Sequence, residues 1–206
     1  MIKVCGMREP DNIRAVDSLG INMMGFIFWP KSSRYVNPGD SPREVMETVS
    51  GIHAKRVGVF VDEDPGQVRR LADDFSLDYI QLHGQESPAY IFQLRGLHVI
   101  KAFNIATEDD LLQTRPYEGI VDYFLFDTKG KSVGGNGEKF DWSVLSSYDG
   151  STPFLLSGGI GPDDAERLRA NHHEKCIGID LNSRFEIAPG LKDVDALRKF
   201  LNELNE

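Results

Sequence analysis

Residues 154–168 read Phe-Leu-Leu-Ser-Gly-Gly-Ile-Gly-Pro-Asp-Asp-Ala-Glu-Arg-Leu. An apolar run is followed by a glycine-rich turn and by a proline at the first position of a helix, and Ala165 and Leu168 then recur at helical spacing. The stretch predicts a buried β-strand joined by a tight turn to an α-helix. The rest of the chain repeats this unit.

Short apolar runs recur along the whole sequence. Most are continuous rather than alternating, which is typical of strands that are buried on both faces of a parallel sheet. The eight runs are Ile2 to Cys5, Met24 to Phe28, Val57 to Val61, Tyr79 to Leu82, Val99 to Phe103, Tyr123 to Phe126, Phe154 to Leu156 and Ile177 to Leu181.

Helix starts of one design lie between these runs. Each places a capping residue directly before a proline; they are Ser41-Pro42, with Glu44 completing a capping box, Asp64-Pro65, Ser87-Pro88 and Gly161-Pro162. A first helix is predicted over Pro10 to Leu19, ended by Gly20, and a last helix carries Leu197, Leu201 and Leu204 on one face.

The alternation predicts an α/β fold, a single (β/α)8 TIM barrel that occupies residues 1–206 as one domain. Eight units in 206 residues give about 26 residues each, which is compact for this barrel. The alternative is a doubly wound open sheet. Closure is favoured because an open sheet of eight strands would need protected edges.

Composition excludes several classes of protein. The 23 Lys and Arg against 32 Asp and Glu give a net charge of −9, which argues against a nucleic-acid or anionic-membrane surface. No apolar run approaches the roughly 20 residues of a membrane span. The 2 cysteines cannot make a disulfide framework, and the N-terminus carries charge too early for a secretory signal. We therefore expect a cytoplasmic protein with no nucleic-acid or membrane partner.

In a (β/α)8 barrel the active site lies at the carboxyl ends of the strands. The polar residues at which the apolar runs stop are therefore the candidates. They are Cys5, Arg34 in the loop after the second strand, His83, Asp127, the Ser157-Gly158-Gly159 turn and the segment Asp180-Leu181-Asn182-Ser183.

The last two loops predict a phosphate site. Backbone amides at Gly158 and Gly159 can cradle an anion, and Asn182 and Ser183 can add further donors. The loops after the seventh and eighth strands are the usual phosphate site of this fold. The alternative is that the glycines only make a tight turn.

Cys5 and Asp127 are the candidate base and acid. A free cysteine is most often a small buried hydrophobe, but Cys5 lies at the barrel mouth, and Lys3 has the same strand parity and could favour its thiolate. Asp127 follows four bulky apolar residues, so burial is expected to raise its pKa and favour a protonated donor. It could equally cap a helix or pair with Lys129.

Three further features carry weaker signals. His83 could be a ligand, a base or a turn residue, and the 5 histidines show no metal-like spacing, so we expect no metal site. The glycine-dense stretch 130–137 could close over a substrate or be a plain connection. Cys5 and Cys176 fall at opposite ends of neighbouring strands, roughly 15 Å apart in height, so no disulfide is expected.

Several stretches spread over nearly the whole chain match a family pattern in order. They are K-V-C-G-M at 3–7, G-F-I-F-W-P-K-S-S-R-Y-V at 25–36, V-G-V-F-V at 57–61, I-Q-L-H-G at 80–84, F-D-T-K at 126–129, G-G-N-G-E-K-F-D-W at 134–142, L-S-G-G-I at 156–160 and G-I-D-L-N-S-R-F-E at 178–186. Their joint order makes the chain resemble the phosphoribosylanthranilate isomerases of tryptophan biosynthesis.

The resemblance implies a cofactor-free Amadori rearrangement of N-(5-phosphoribosyl)anthranilate to 1-(o-carboxyphenylamino)-1-deoxyribulose 5-phosphate. The family's general acid falls on Asp127, which would protonate the ribose ring oxygen and open the sugar to a Schiff base. Its general base falls on Cys5, which would remove the proton from sugar carbon 2.

The resemblance also implies how the substrate is held. Arg34 would meet the anthranilate carboxylate and Asp180 the anthranilate amine, and His83 is a further candidate for substrate binding. Gly158, Gly159, Asn182 and Ser183 would hold the phosphate. The chain departs from the family pattern at 182–186, where Arg184 replaces the usual glycine. Its side chain could supply charge to the phosphate or point to solvent, and we expect the second.

Other functions stay open from the residues alone. One alternative is another phosphosugar enzyme on the same barrel, such as indole glycerol phosphate synthase or a histidine-pathway isomerase. The former would be expected to show a catalytic lysine with paired glutamates at the strand ends, and Lys101 alone does not supply that set. A non-catalytic phosphate-binding barrel would need neither Cys5 nor Asp127. A metal-dependent epimerase is a further alternative. The protein is expected to be a monomer or a homodimer.

Overall fold

The computed structural model describes residues 1–37, 42–128, 142–170 and 173–205. Eight parallel strands close into a barrel in chain order, with the eighth strand paired to the first. This confirms the single (β/α)8 barrel, and the doubly wound alternative is wrong. The strands are β1 Ile2–Cys5, β2 Met23–Ile27, β3 Lys55–Phe60, β4 Tyr79–Leu82, β5 Val99–Ile105, β6 Tyr123–Thr128, β7 Phe154–Ser157 and β8 Cys176–Leu181.

Helices cover the outside of the barrel. The α-helices are α1 Pro10–Asp17, α2 Pro42–Ser50, α3 Pro65–Asp74, α4 Pro88–Phe92, α5 Ala165–Ala170 and α6 Val194–Asn205. The predicted caps at Asp64 and Ser87 accept hydrogen bonds from backbone N–H groups of the first helical turn. Ser41 lies outside the described residues.

The units after β5 and β6 differ from the expected pattern. Their outer layers are 3-10 helices, at Glu108–Tyr117 and Trp142–Ser147. In the first of these, Leu111 and Thr114 are buried at a spacing of three residues, which is the period of a 3-10 helix rather than an α-helix. A shorter 3-10 turn at Pro162–Asp164 leads into α5.

A small antiparallel hairpin between β8 and α6 was not predicted. Its strands are β9 Glu186–Ala188 and β10 Leu191–Lys192, and they pair directly after the eighth strand. Gly190 makes the turn with φ of +86°, a conformation that favours glycine. The hairpin therefore lies on the face of the barrel where the strands end.

The hydrophobic core has two parts. The larger part fills the layer between the strands and the helices. The smaller part is inside the barrel and consists of side chains that alternate along the strands: Met23, Val57, Ile100, Ala102, Leu125 and Leu155. On β1 the outward Val4 belongs to the outer layer, whereas Lys3 and Cys5 point inward, as their shared parity predicts.

Two other expectations can be compared with the structure. Cys5 and Cys176 are both free thiols, as the barrel geometry predicted. Among the described residues, no helix combines the length and the apolar character that a bilayer crossing requires.

Asp78 fixes the amino-terminal ends of β3 and β4. Its carboxylate accepts hydrogen bonds from Arg56 N at 2.9 Å, Arg56 Nε at 2.8 Å and Lys55 Nζ at 3.0 Å. Burial raises the pKa of Asp78, but these hydrogen bonds outweigh it and lower the pKa from 3.8 to about 2. The stabilisation is therefore complete above pH 4 and is lost as the pH falls toward 2.

We predict that Asp78→Asn lowers the free energy of unfolding at pH 7 by about 2 kcal/mol, because charge-assisted hydrogen bonds are lost. The difference from the wild type should shrink as the pH falls from about 4 to 2, since the wild-type carboxylate is then protonated. Urea unfolding at several pH values measures both. Asp74→Asn on the exposed face of α3 is the control; a pH-independent deficit at residue 78 would contradict the prediction.

Candidate active site

A cavity of about 210 Å³ opens at the carboxyl ends of the strands. It brings together eight of the nine predicted site residues, namely Cys5, His83, Asp127, Gly158, Gly159, Asp180, Asn182 and Ser183. The other lining residues are Ile27, Val59, Gln81, Ser157 and Ile160. Arg34, the ninth predicted residue, belongs to a group of charges beside the cavity.

A buried ion pair forms the floor of the site. Lys3 Nζ lies 2.7 Å from Asp180 Oδ1, and the Lys3 side chain has no exposed surface. Asp180 Oδ2 also accepts a hydrogen bond of 3.2 Å from Ser157 Oγ. The pair spans β1 and β8, so the carboxylate that the sequence placed at the amine of a substrate also helps to close the barrel.

Cys5 lies directly above this pair. A Cβ placed on Gly25 would be 2.6 Å from Cys5 Sγ, so the thiol occupies space that only a glycine on the neighbouring strand leaves open. Burial raises the pKa of Cys5 above its ordinary value; Lys3 opposes this, Asp180 adds to it and Lys192 opposes it. Lys3 therefore acts in the predicted direction, but burial is the larger effect.

Asp127 and His83 face each other across the ends of β6 and β4. His83 Nε2 lies 3.5 Å from Asp127 Oδ2, and the two side chains are 27% and 20% exposed. The Asp127 carboxyl group is therefore largely shielded while remaining open to the cavity. His83 Nδ1 lies 3.1 Å from Gln81 Nε2, a residue that the sequence analysis did not single out because it lies within an apolar strand.

The glycine turn after β7 and the residues after β8 form the opposite side of the cavity. Gly158 and Gly159 have φ of +99° and +66°. Both values lie in the left-handed region, which favours glycine. Ser183 begins a 3-10 turn, Ser183–Phe185, and Arg184 within it is exposed, as expected.

Arg34 is held by a buried carboxylate of the unpredicted hairpin. Arg34 Nε lies 2.8 Å from Glu186 Oε1 and Arg34 Nη2 lies 2.5 Å from Glu186 Oε2, which is a bidentate pair. Burial raises the pKa of Glu186, but the hydrogen bonds from Arg34 and Lys192 outweigh it and lower the pKa to about 2. The carboxylate is therefore charged at neutral pH.

Lys192 connects this pair to the loop after β8. Its fully buried ammonium lies 2.6 Å from Glu186 Oε1 and 2.8 Å from Asn182 Oδ1. Burial lowers the pKa of Lys192, whereas the hydrogen bond and charge of Glu186 raise it. No sequence signal pointed to Lys192, because neither the hairpin nor its pairing was predicted.

The formal charges in and beside the site balance. The basic residues are Lys3, Arg34 and Lys192, and the acidic residues are Asp127, Asp180 and Glu186. The site is therefore not acidic, although the chain as a whole has a net charge of −9.

Two of the sequence expectations concern other parts of the chain. The stretch 130–137 and Lys129, the alternative partner of Asp127, lie outside the described residues. Within the described ranges, no three histidine, cysteine, aspartate or glutamate side chains converge as metal ligands would.

Comparison with known proteins shows which family the chain matches. Residues 2–203 match the model of the family described as N-(5'phosphoribosyl)anthranilate (PRA) isomerase. A relative from Parabacteroides distasonis, named N-(5'-phosphoribosyl)anthranilate isomerase, is 51% identical over 206 residues, covering 99% of this chain and 93% of the relative.

Solved structures agree with the sequence relatives. Phosphoribosyl anthranilate isomerase from Thermotoga maritima has a TM-score of 0.86 at 30% identity, covering 99% of this chain and 98% of that one. A phosphoribosyl anthranilate isomerase in complex with reduced 1-(o-carboxyphenylamino)-1-deoxyribulose 5-phosphate has a TM-score of 0.84 at 28% identity, covering 99% and 97%.

Gly6 allows the three loops around the site to meet. Its φ is +78°, and a Cβ at this position would lie 2.6 Å from Arg34 Cδ and 2.8 Å from Asn182 Oδ1. Gly20 has a similar φ of +74° but has no atom within 4 Å of such a Cβ. The two glycines therefore share the backbone conformation and differ in crowding.

We predict that Gly6→Ala destabilises the protein by about 1 to 3 kcal/mol more than Gly20→Ala, because overpacking adds to the backbone strain that both variants share. Urea unfolding of the two variants and the wild type measures the difference. Equal losses would mean that Arg34 and Asn182 can move away from Gly6 without cost.

Proposed function

The chain belongs to the N-(5'-phosphoribosyl)anthranilate isomerase family, and on this premise we propose that Cys5 is the general base and Asp127 the general acid of the isomerisation. The family membership makes the protein an isomerase of tryptophan biosynthesis. The observation that carries the assignment of the two residues is that both line the one cavity that also contains the glycine turn after β7 and the residues after β8.

The proposed reaction is the Amadori rearrangement of N-(5-phosphoribosyl)anthranilate to 1-(o-carboxyphenylamino)-1-deoxyribulose 5-phosphate. Asp127 donates a proton to the ribose ring oxygen, and the sugar opens to a protonated Schiff base. Cys5 then removes the proton from sugar carbon 2, which gives an enolamine that tautomerises to the ketone. The substrate and product are isomers, so no oxidant or reductant is consumed.

The resting thiol is mostly protonated at neutral pH, because burial raises the pKa of Cys5. The base form therefore depends on the cations near it. Lys3 and Lys192 both lower the pKa of Cys5, and Lys3 lies on the same strand with its side chain on the same face. These cations oppose the effect of burial.

The substrate would lie across the cavity with its anionic ends fixed by different loops. Gly158, Gly159, Asn182 and Ser183 hold the phosphate through backbone amides and side-chain donors. Asp180 orients the anthranilate amine. Arg34 meets the anthranilate carboxylate through the N–H groups of Nη1 and Nη2 that Glu186 does not bind.

His83 is proposed to assist the acid. Its Nε2 atom lies 3.5 Å from Asp127 Oδ2, close enough to stabilise the carboxylate that forms when Asp127 gives up its proton. Lys101, the residue on which the alternative of a lysine-based phosphosugar enzyme depends, is bound to Gly84 O at 2.9 Å and to Glu86 Oε2 at 3.1 Å. It is thus used in holding the loop after β4.

We predict that Cys5→Ser and Asp127→Asn each lower kcat/KM by at least about 100-fold, because each variant loses one of the two proton transfers. The loss of anthranilate fluorescence from freshly made N-(5-phosphoribosyl)anthranilate, with a chelator present, measures the rate. The matched controls are Cys176→Ser, at the start of β8 and away from the cavity, and Asp149→Asn on the surface. A folded Cys5→Ser variant within tenfold of the wild type would contradict the role of the thiol.

We predict opposite shifts in the pH profile for the two partners of the buried ion pair. Lys3→Met removes a cation that lowers the pKa of Cys5. The increase of kcat/KM with pH, which follows deprotonation of the Cys5 thiol, should therefore move to higher pH. Asp180→Asn removes an anion that raises the pKa of Cys5, so the same rise should move to lower pH. Profiles with unmoved midpoints would show that the titrating base is another group.

A further inference from the structure

One polar atom of a residue in the cavity wall has no hydrogen-bond partner among the described residues. Gln81 is 1% exposed, and its Oε1 atom accepts no hydrogen bond from any described residue. A buried amide oxygen in this state costs about 1–3 kcal/mol, and native proteins contain few of them. The other amide atom, Nε2, lies 3.1 Å from His83 Nδ1.

The position of Gln81 on β4 points its side chain into the barrel. Its neighbours in the sheet are Val59 on β3, which lines the cavity, and Ile100 on β5, which belongs to the core inside the barrel. Gln81 lines the same cavity as Cys5 and Asp127. The Gln81 side chain is thus part of the wall against which the reacting sugar would lie.

We propose that Gln81 Oε1 binds a secondary hydroxyl of the sugar, and that Gln81 Nε2 fixes the tautomer of His83. This assignment rests on the proposed function. An unpaired acceptor requires a donor from the ligand, and the phosphate and carboxylate groups of the substrate are acceptors. Its donors are the sugar hydroxyls and the anthranilate amine, and the amine is assigned to Asp180.

The tautomer of His83 follows from its hydrogen bond with the amide nitrogen of Gln81. Because Gln81 Nε2 donates to His83 Nδ1, the proton of a neutral His83 is on Nε2. That N–H faces Asp127 Oδ2 at 3.5 Å. Gln81 is therefore a binding residue for the sugar and a positioning residue for the acid. Its amide group links the sugar hydroxyl on one side to His83, and through His83 to Asp127, on the other.

The test uses reduced 1-(o-carboxyphenylamino)-1-deoxyribulose 5-phosphate and analogues that each lack one secondary hydroxyl. Anthranilate fluorescence reports the Kd for the wild type, for Gln81→Met, which has a similar length and no amide, and for Gln67→Met on the exposed surface of α3 as the control. We expect removal of one particular hydroxyl to weaken binding to the wild type about tenfold. Gln81→Met should bind the parent compound about tenfold more weakly and should not discriminate against that analogue.

Other outcomes overturn the assignment in distinguishable ways. If every analogue loses the same factor on the wild type and on Gln81→Met, the oxygen does not bind a hydroxyl. If Gln81→Met does not fold, the wild type alone decides. If no analogue then binds to the wild type with a Kd more than about threefold weaker than that of the parent compound, no hydroxyl is bound by the oxygen and the assignment is overturned. Failure of the wild type to bind the parent compound would overturn the proposed function itself.

The tautomer has its own readout. Nitrogen-15 NMR at neutral pH should show His83 with the proton on Nε2 in the wild type and a mixture of tautomers in Gln81→Met. A proton on Nδ1 in the wild type would reverse the direction of the Gln81–His83 hydrogen bond and overturn this part of the proposal.

Discussion

The buried pair of Lys3 and Asp180 is the interaction on which the barrel and its site both depend. The two residues are direct neighbours in the pairing of β1 with β8, so their side chains bridge the seam where the sheet closes. Removing one partner from such a pair leaves an uncompensated buried charge, which typically costs about 3–5 kcal/mol. The same charges act on Cys5 in opposite directions. One contact therefore contributes both to closure of the sheet and to the electrostatics of the thiol, to which burial and Lys192 also contribute.

A second group of charges organises the rim of the site. Arg34 comes from the loop after β2, Glu186 and Lys192 from the hairpin and Asn182 from the end of β8, and hydrogen bonds link all four. Because the pKa of Glu186 is lowered to about 2, its carboxylate stays ionised across the physiological range. The hydrogen bonds between the members of the network hold these side chains in place before any ligand arrives.

Local signals in the sequence were sufficient for the barrel, because buried parallel strands and proline-started helices leave distinct patterns. The rule that sites lie at the ends of strands then placed Cys5 and Asp127 in the same cavity. Gln81 was missed since it lies inside an apolar run, one position before the strand ends. The hairpin was missed because strands of three and two residues leave no periodicity. The pKa of Cys5 depends on the depth of its burial, which the position of Lys3 in the sequence does not reveal.

The pairing of the strands also constrains the order in which the molecule can form. Seven of the eight strand pairs in the barrel join strands that follow one another in the chain, and β1 with β8 is the exception. The contact between Lys3 and Asp180 spans 177 residues, so it forms only after nearly the whole chain has been made. Closing so long a loop is slow relative to local pairing. During synthesis on the ribosome, the floor beneath Cys5 is thus among the last parts of the protein to assemble, because Asp180 is made only when β8 is made.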